Sequence, residues 1–335
     1  MRVILDIGLP KTGSKARQTF LLNEAERLQD EVLLYPHAGR DWVWHRPLYE
    51  AITAGDQVTL DKLKDELRAA EGRSTLAVLS YEGMYDLDAE RIQVLGSLSD
   101  DVQAVVFLRR QDQLVNSYYN QQHKGHRVSI NTLEAYEATM LQRSDSFDYR
   151  NVLQRWMQVL GDDKVKPVLF DKGRSSVLSF FEAAGVAVDT LGYEETYPNP
   201  AIDEFGLSVL RAVKGLVQDS HLLAEAVREA HTTLASHFRT SPSATETYLL
   251  TFAQRAQLMQ HYEEGNEWVR HRFFPERASL FEPLKEGVAC AIDPQAGKEL
   301  AQQIVQRTRE RHAEKGKSGR LVAKIGRAAR RVFGR

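Results

Sequence analysis

Gly8, Lys11, Thr12, Gly13 and Ser14 cluster near the start of the chain, in the stretch DIGLPKTGSKARQTFL. Glycines and small hydroxyl residues let several backbone N–H groups approach one anion. A helix opening at such a loop adds the positive end of its dipole. Lys11 contributes a mobile cation from inside the loop. The apolar run RVIL precedes the loop and a helical pattern follows it, so the spacing predicts a strand–loop–helix unit that holds a phosphate-like anion.

The loop departs from the nucleotide-triphosphate form G-x-x-x-x-G-K-[ST], in which the lysine directly follows the second glycine. Gly8 and Gly13 have the required separation, but Ser14 follows Gly13 and Lys15 comes one residue late. P-loop kinases also use a magnesium-binding acid at the end of a neighbouring strand. The strand-like run AVVFLRR ends instead in Arg109 and Arg110, and Asp112 comes only in the following helical pattern. Magnesium-dependent phosphoryl transfer is disfavoured on both counts, and an ATP-dependent kinase stays as an alternative reading.

Arg109 and Ser117 form a second constellation, one at a strand end and the other on the helix-like stretch QLVNSYYNQQHK. An arginine at the C-terminal edge of a strand and a serine one to two helical turns on can converge on one phosphate. Two such sites on one sheet edge suit a nucleotide with phosphates at both ends better than they suit ATP.

The elements that must position these residues are legible as a pattern. Short apolar runs, rich in Val, Ile and Leu, appear at RVILDIG, EVLLYP, TLAVLSYE, VQAVVFLRR and KVKPVLFD. Helical stretches such as KARQTFLLNEAERLQ and TLDKLKDELRAAE lie between them. This alternation predicts an α/β fold, a central parallel sheet with helices on both faces. From about 200 to 273 the pattern becomes nearly continuous helix, which predicts a helical cap within one domain spanning 1–312.

The two motifs resemble those of sulfotransferases that use 3'-phosphoadenosine 5'-phosphosulfate (PAPS). GLPKTGSKARQTFL resembles their 5'-phosphosulfate loop, and VVFLRRQDQLVNSYYNQ their second signature. A weaker similarity to bacterial members runs to about residue 281, through stretches such as LLYPHAGRDWVWHRPL, VLSYEGMY and YPNPAI. The resemblance implies a P-loop-like sulfotransferase fold. Pro10, Lys11, Thr12, Gly13, Ser14 and Lys15 would hold the 5' end, and Arg109 and Ser117 the 3'-phosphate. It implies transfer of a sulfuryl group from PAPS to a hydroxyl or amine of a carbohydrate or glycolipid, without a metal. The loop departs from the family at Lys15, where a hydroxyl residue is usual, and at Arg17, where an aliphatic residue would pack inward.

Sulfuryl transfer needs a cation on the bridging oxygen and a base for the acceptor. Lys11 is the natural cation. Three residues are candidates for the base. Glu82, in VLSYEGMY, ends the strand-like run before that of Arg109; cytosolic family members carry their catalytic histidine at the end of a comparable strand. His45 and His37 follow the second strand, where glycosaminoglycan-modifying members place a catalytic carboxylate, and a histidine titrates near neutral pH. His37 and Lys124 are also candidates to touch the acceptor, although an exposed helix lysine is the plainer reading of Lys124.

Composition narrows the setting. The chain has 335 residues, 42% hydrophobic and 27% charged, with a formal net charge of -2, so no general attraction to nucleic acid follows. One cysteine, Cys290, excludes an internal disulfide and fits a reducing compartment. The N-terminal residues have no signal-peptide pattern, and no apolar run reaches the length of a membrane span, which predicts a cytoplasmic protein. The tail over 313–335, KGKSGRLVAKIGRAARRVFGR in its basic part, places Arg320, Lys324, Arg327 and Arg331 on one helical face beside an apolar stripe. That pattern predicts peripheral contact with an anionic membrane surface. A non-catalytic membrane-associated protein that keeps the fold is the remaining alternative.

Overall fold

The computed structural model describes residues 1–29, 33–124, 144–186, 201–239, 250–286, 293 and 295–314. The basic tail beyond 314 and Cys290 lie outside the described residues. By their contacts the residues form two units. The first comprises Met1–Val115, Glu137–Pro198 and Phe252–Lys285; the second comprises Asn116–Tyr136, Asn199–Thr251 and Glu286–Arg335.

All five apolar runs become strands of one parallel sheet: β1 (Arg2–Asp6), β2 (Leu33–Leu34), β3 (Leu76–Ser80), β4 (Val102–Leu108) and β5 (Val165–Leu169). Their order is β2-β3-β1-β4-β5. Every residue of β3 is buried, as is β1 from Val3 onward, so both faces of the sheet centre are covered. That is why these strands read as continuous apolar runs with no polar alternation. One face carries Ile4, Val78, Val105 and Phe107, packed with Phe20, Val177, Phe180 and Phe181. Those partners come from α1 (Ser14–Gln29) and the helix after β5 (Ser176–Ala183).

The connections place α2 (Arg46–Ala54) and α3 (Gln57–Ala70) between β2 and β3, and α4 (Ala89–Gly96) between β3 and β4. Caps set several of these boundaries. Asp56 accepts from the Val58 N–H to open α3, and Asp88 accepts from the Arg91 N–H to open α4. Helix α5 (Gln111–Lys124) leaves the end of β4, and α6 (Ser144–Phe147) and α7 (Tyr149–Leu160) lead into β5. The helix after β5 is α8.

Connection direction reverses between β1 and β4: the chain after β1 crosses to β2, whereas the chain after β4 runs outward to β5. In open α/β sheets the crevice outside the strand C-termini at such a reversal is where ligands bind.

The second unit packs α9 (Glu204–Leu216), α10 (Ser220–Thr233) and α13 (298–314) around Leu210, Val213, Leu223, Ala230, Ile304 and Val305. It also contains a two-stranded antiparallel pair, β6 (Ala201–Ile202) and β7 (Phe238–Arg239). The helices predicted as one layer over 200–273 divide: α11 (Phe252–His261) and α12 (Glu263–Phe273) belong to the first unit. No helix among the described residues is long and apolar enough to cross a membrane.

Candidate active site

The loop after β1 has an unusual backbone. Lys11 and Gly13 both adopt left-handed backbone, with φ of 70° and 82°. The Thr12 hydroxyl donates to the Leu9 carbonyl at 2.5 Å, which closes the turn from within. Gly13 is required twice over, by its φ and because a Cβ there would lie 2.5 Å from the Ser176 Oγ on α8. The Gly13, Ser14 and Lys15 N–H groups donate to no backbone carbonyl among the described residues, as the first turn of a helix requires. The residue types predict an anion cradle at these N–H groups.

Arg17 supplies what the sequence left unaccounted for. It is buried on α1 and forms two hydrogen bonds with the Asp6 carboxylate, Nε to Oδ2 at 3.0 Å and Nη2 to Oδ1 at 2.9 Å. Its Nη1 donates to the Thr12 carbonyl at 2.7 Å, and its guanidinium lies 3.9 Å from the centre of the Phe107 ring. Asp6 also accepts from the Ser80 hydroxyl at 2.8 Å. Arg17 thus packs inward in place of an aliphatic residue, with its charge matched and its donors used.

Arg109 follows β4 directly, across the strand reversal from the loop. Its Nη1 donates to the Lys11 carbonyl at 2.6 Å, and its guanidinium stacks over Phe170 at 5.1 Å. The Tyr149 hydroxyl donates to its backbone carbonyl. The neighbouring Arg110 turns into the framework, where Nε and Nη2 bond both oxygens of the buried Asp112, at 2.7 and 3.1 Å, and Nη1 donates to the Glu282 carbonyl. Of the two consecutive arginines, Arg109 bonds the loop and Arg110 bonds Asp112 and Glu282. Ser117 lies on α5 in the stretch grouped with the second unit, and its link to Arg109 stays one of spacing. Lys124 is the last residue of α5, and its side chain lies outside the described residues.

The three candidate bases occupy different surroundings. Glu82 is half-buried just beyond β3, the neighbour of β1, and its Oε2 accepts from the Gln18 amide at 3.1 Å. It stands beside the first turns of the loop helix. His37 is exposed; its Nδ1 accepts from Arg40 at 2.8 Å and its backbone N–H donates to Glu66. His45, the second candidate, is fully buried. Its Nδ1 accepts the Ser80 N–H at 3.2 Å, which leaves Nε2 as the protonated nitrogen that donates to the Pro36 carbonyl, also 3.2 Å away. Burial, then the Arg40 charge, pulls its pKa from 6.5 down to about 3. With both ring nitrogens engaged and no access to solvent, it is a framework histidine that joins the loop after β2 to the end of β3. Sequence could not separate these fates, because a histidine next to two tryptophans reads the same in either place.

Lys15 points to solvent with its Nζ 5.7 Å from the centre of the Trp42 ring, in a cation–π contact and not in the loop. Pro10 lies in the loop before Lys11, and Ser14 opens α1.

No family model matches this sequence, and no curated protein matches it either. Among solved structures, a sulfotransferase from Alicyclobacillus acidocaldarius is similar over 68% of this chain and 95% of that one, at 14% identity and a TM-score of 0.40. A likeness of that degree carries no argument about this chain; the geometry of the loop and of Arg109 does.

Removing one partner of the Asp6–Arg17 pair strands a buried charge. Arg17→Met should cost about 3–5 kcal/mol in urea unfolding, and Asp6→Leu combined with Arg17→Met should recover much of it. A loss below about 1 kcal/mol in Arg17→Met would contradict the buried pairing. His45 gives a prediction for acid. The folded ring stays neutral down to about 3 while the unfolded ring protonates below 6.5. Between those values the unfolded state binds the extra proton, so stability falls as pH falls, by up to about 1.4 kcal/mol per pH unit. His45→Gln lacks this component. The stability gap between wild type and variant should therefore narrow from pH 7 to pH 4, and a constant gap would contradict the assignment.

Proposed function

We propose that the first unit binds PAPS across the C-terminal edges of β1 and β4 and transfers its sulfuryl group to a hydroxyl of a carbohydrate or glycolipid. The observation that supports this most is the pairing of an anion cradle with Arg109 on the two strands that flank the reversal, joined by the Arg109–Lys11 hydrogen bond. A donor with a phosphosulfate at the 5' end and a phosphate at the 3' end has one anionic group for each. The planar guanidinium of Arg109, next to the cradle, has the fork geometry that suits a phosphate.

In the proposed reaction the acceptor oxygen forms a bond to sulfur as the bond from sulfur to the bridging phosphate oxygen breaks. Adenosine 3',5'-bisphosphate leaves. Lys11 and the cradle N–H groups stabilise the charge that builds on the bridging oxygen. Glu82 takes the acceptor's proton, since it is the carboxylate beside the cradle on the β3 side. The basic tail, outside the described residues, would bring the enzyme to an anionic membrane face if the acceptor is lipid-linked.

Calorimetry with adenosine 3',5'-bisphosphate tests the donor site. Wild type should bind it without magnesium, and Arg109→Lys, which keeps a charge but loses the fork, should lose roughly 1.5–3 kcal/mol. Binding unchanged in Arg109→Lys, or binding of magnesium-ATP in its place, would contradict the reading. Glu82→Gln should bind the bisphosphate as wild type does while losing turnover of PAPS.

A further inference from the structure

Trp42 sits at the tip of a four-residue turn, closed by backbone bonds from Asp41 to Trp44 at 3.0 Å and from Trp44 to Asp41 at 3.2 Å. Its φ is 51°, the left-handed region in which turns ordinarily use Gly or Asn. A bulky residue there carries backbone strain. Its indole is nonetheless 63% exposed. The Lys15 ammonium and the edge of Trp44, 6.5 Å away between ring centres, are its ring neighbours. Neither the strain nor the exposed apolar surface is offset by core packing.

The turn is also held more firmly than a surface loop needs. Arg40 donates to the Pro36 carbonyl through Nε at 2.8 Å and to the Trp42 carbonyl through Nη1 at 3.0 Å. The Tyr35 hydroxyl donates to the Val43 carbonyl at 2.6 Å, and Val43 and His45 are buried beneath. The fold therefore spends interactions on presenting this indole outward. Folding alone gives no reason to put a tryptophan there, and a ligand does.

Position identifies the ligand. If the donor spans from the loop to Arg109, it occupies the β4 side of β1. In-line displacement then brings the acceptor from the other side, over β3. On that side an aromatic row runs Trp42, Trp44, Tyr81 and Tyr49, with successive ring centres 6.5, 6.3 and 5.4 Å apart, and Glu82 follows Tyr81 in the chain. A phenolic or steroidal acceptor calls for an enclosed apolar pocket. An open indole beside Lys15 suits a ligand with an apolar face and a polar rim, which is what a pyranose ring presents.

We infer that Trp42 is the stacking platform of an acceptor subsite for a sugar ring, with Trp44 and Tyr81 continuing it toward Glu82. This rests on the proposed donor site, because that site fixes which side the acceptor takes. Trp42 is a specificity residue in this account; it takes no part in bond making.

Saturation-transfer NMR and indole fluorescence, with maltotriose, cellotriose and chitotriose as probes, test the inference on the full chain loaded with adenosine 3',5'-bisphosphate. At least one saccharide should bind wild type. Trp42→Ala should weaken it by about tenfold or more, and Trp42→Tyr should restore most of the binding. Bisphosphate affinity should be the same in all three proteins, which separates this inference from the donor reading. If no saccharide binds, if Trp42→Ala binds as wild type does, or if 2-naphthol binds in place of the saccharides, the inference is overturned. Loss of bisphosphate binding in wild type would instead remove the donor reading on which it stands.

Discussion

The buried pair between Asp6 and Arg17 is the constraint on which the site depends. One carboxylate at the end of β1 is bonded by Arg17 from α1 and by Ser80 from β3. The same arginine holds the Thr12 carbonyl and lies over Phe107 of β4. Three strand ends, one helix and the loop between them therefore share a single charged centre. An ion pair in such a place is costly to desolvate, and its return is geometric: it fixes where the loop's N–H groups point. Gly8 carries the mark of this arrangement, since a Cβ there would lie 2.9 Å from Arg17 Nη2 and 3.1 Å from the Phe107 Cβ.

The rest of the site extends outward from that centre in two directions. Toward β4, the Lys11 carbonyl meets Arg109, and Arg109 is steadied by Phe170 and Tyr149. Toward β3, Gln18 meets Glu82, and the chain continues into Tyr81 and the aromatic row. A strand order that reverses between β1 and β4 separates these two directions, and the proposed reading assigns the donor to one and the acceptor to the other.

Much of this was legible in the sequence because it depends on local pattern. The five strands are short apolar runs bounded by helical stretches, and the loop announces itself by its glycines and Lys11. What was not legible depends on contacts between residues far apart. Arg17 on the inward side of a helix looks anomalous until Asp6, the one acid inside an apolar strand, is seen as its partner. His45 and Trp42 are three residues apart in similar surroundings, and only the turn between them sends one inward and the other out. The helices over 252–273 follow the second unit's helices in the chain without a break in pattern that marks a change of unit, so the sequence did not show that they pack with the first. The pair β6–β7 has two residues in each strand, too few for any periodicity to register.

The most direct measurement is a crystal structure of the full chain grown with adenosine 3',5'-bisphosphate. The account predicts the 5'-phosphate on the N–H groups of Gly13, Ser14 and Lys15 with Lys11 beside it, and the 3'-phosphate on Arg109. A bisphosphate bound elsewhere, or one whose 3'-phosphate lies away from Arg109, would contradict it.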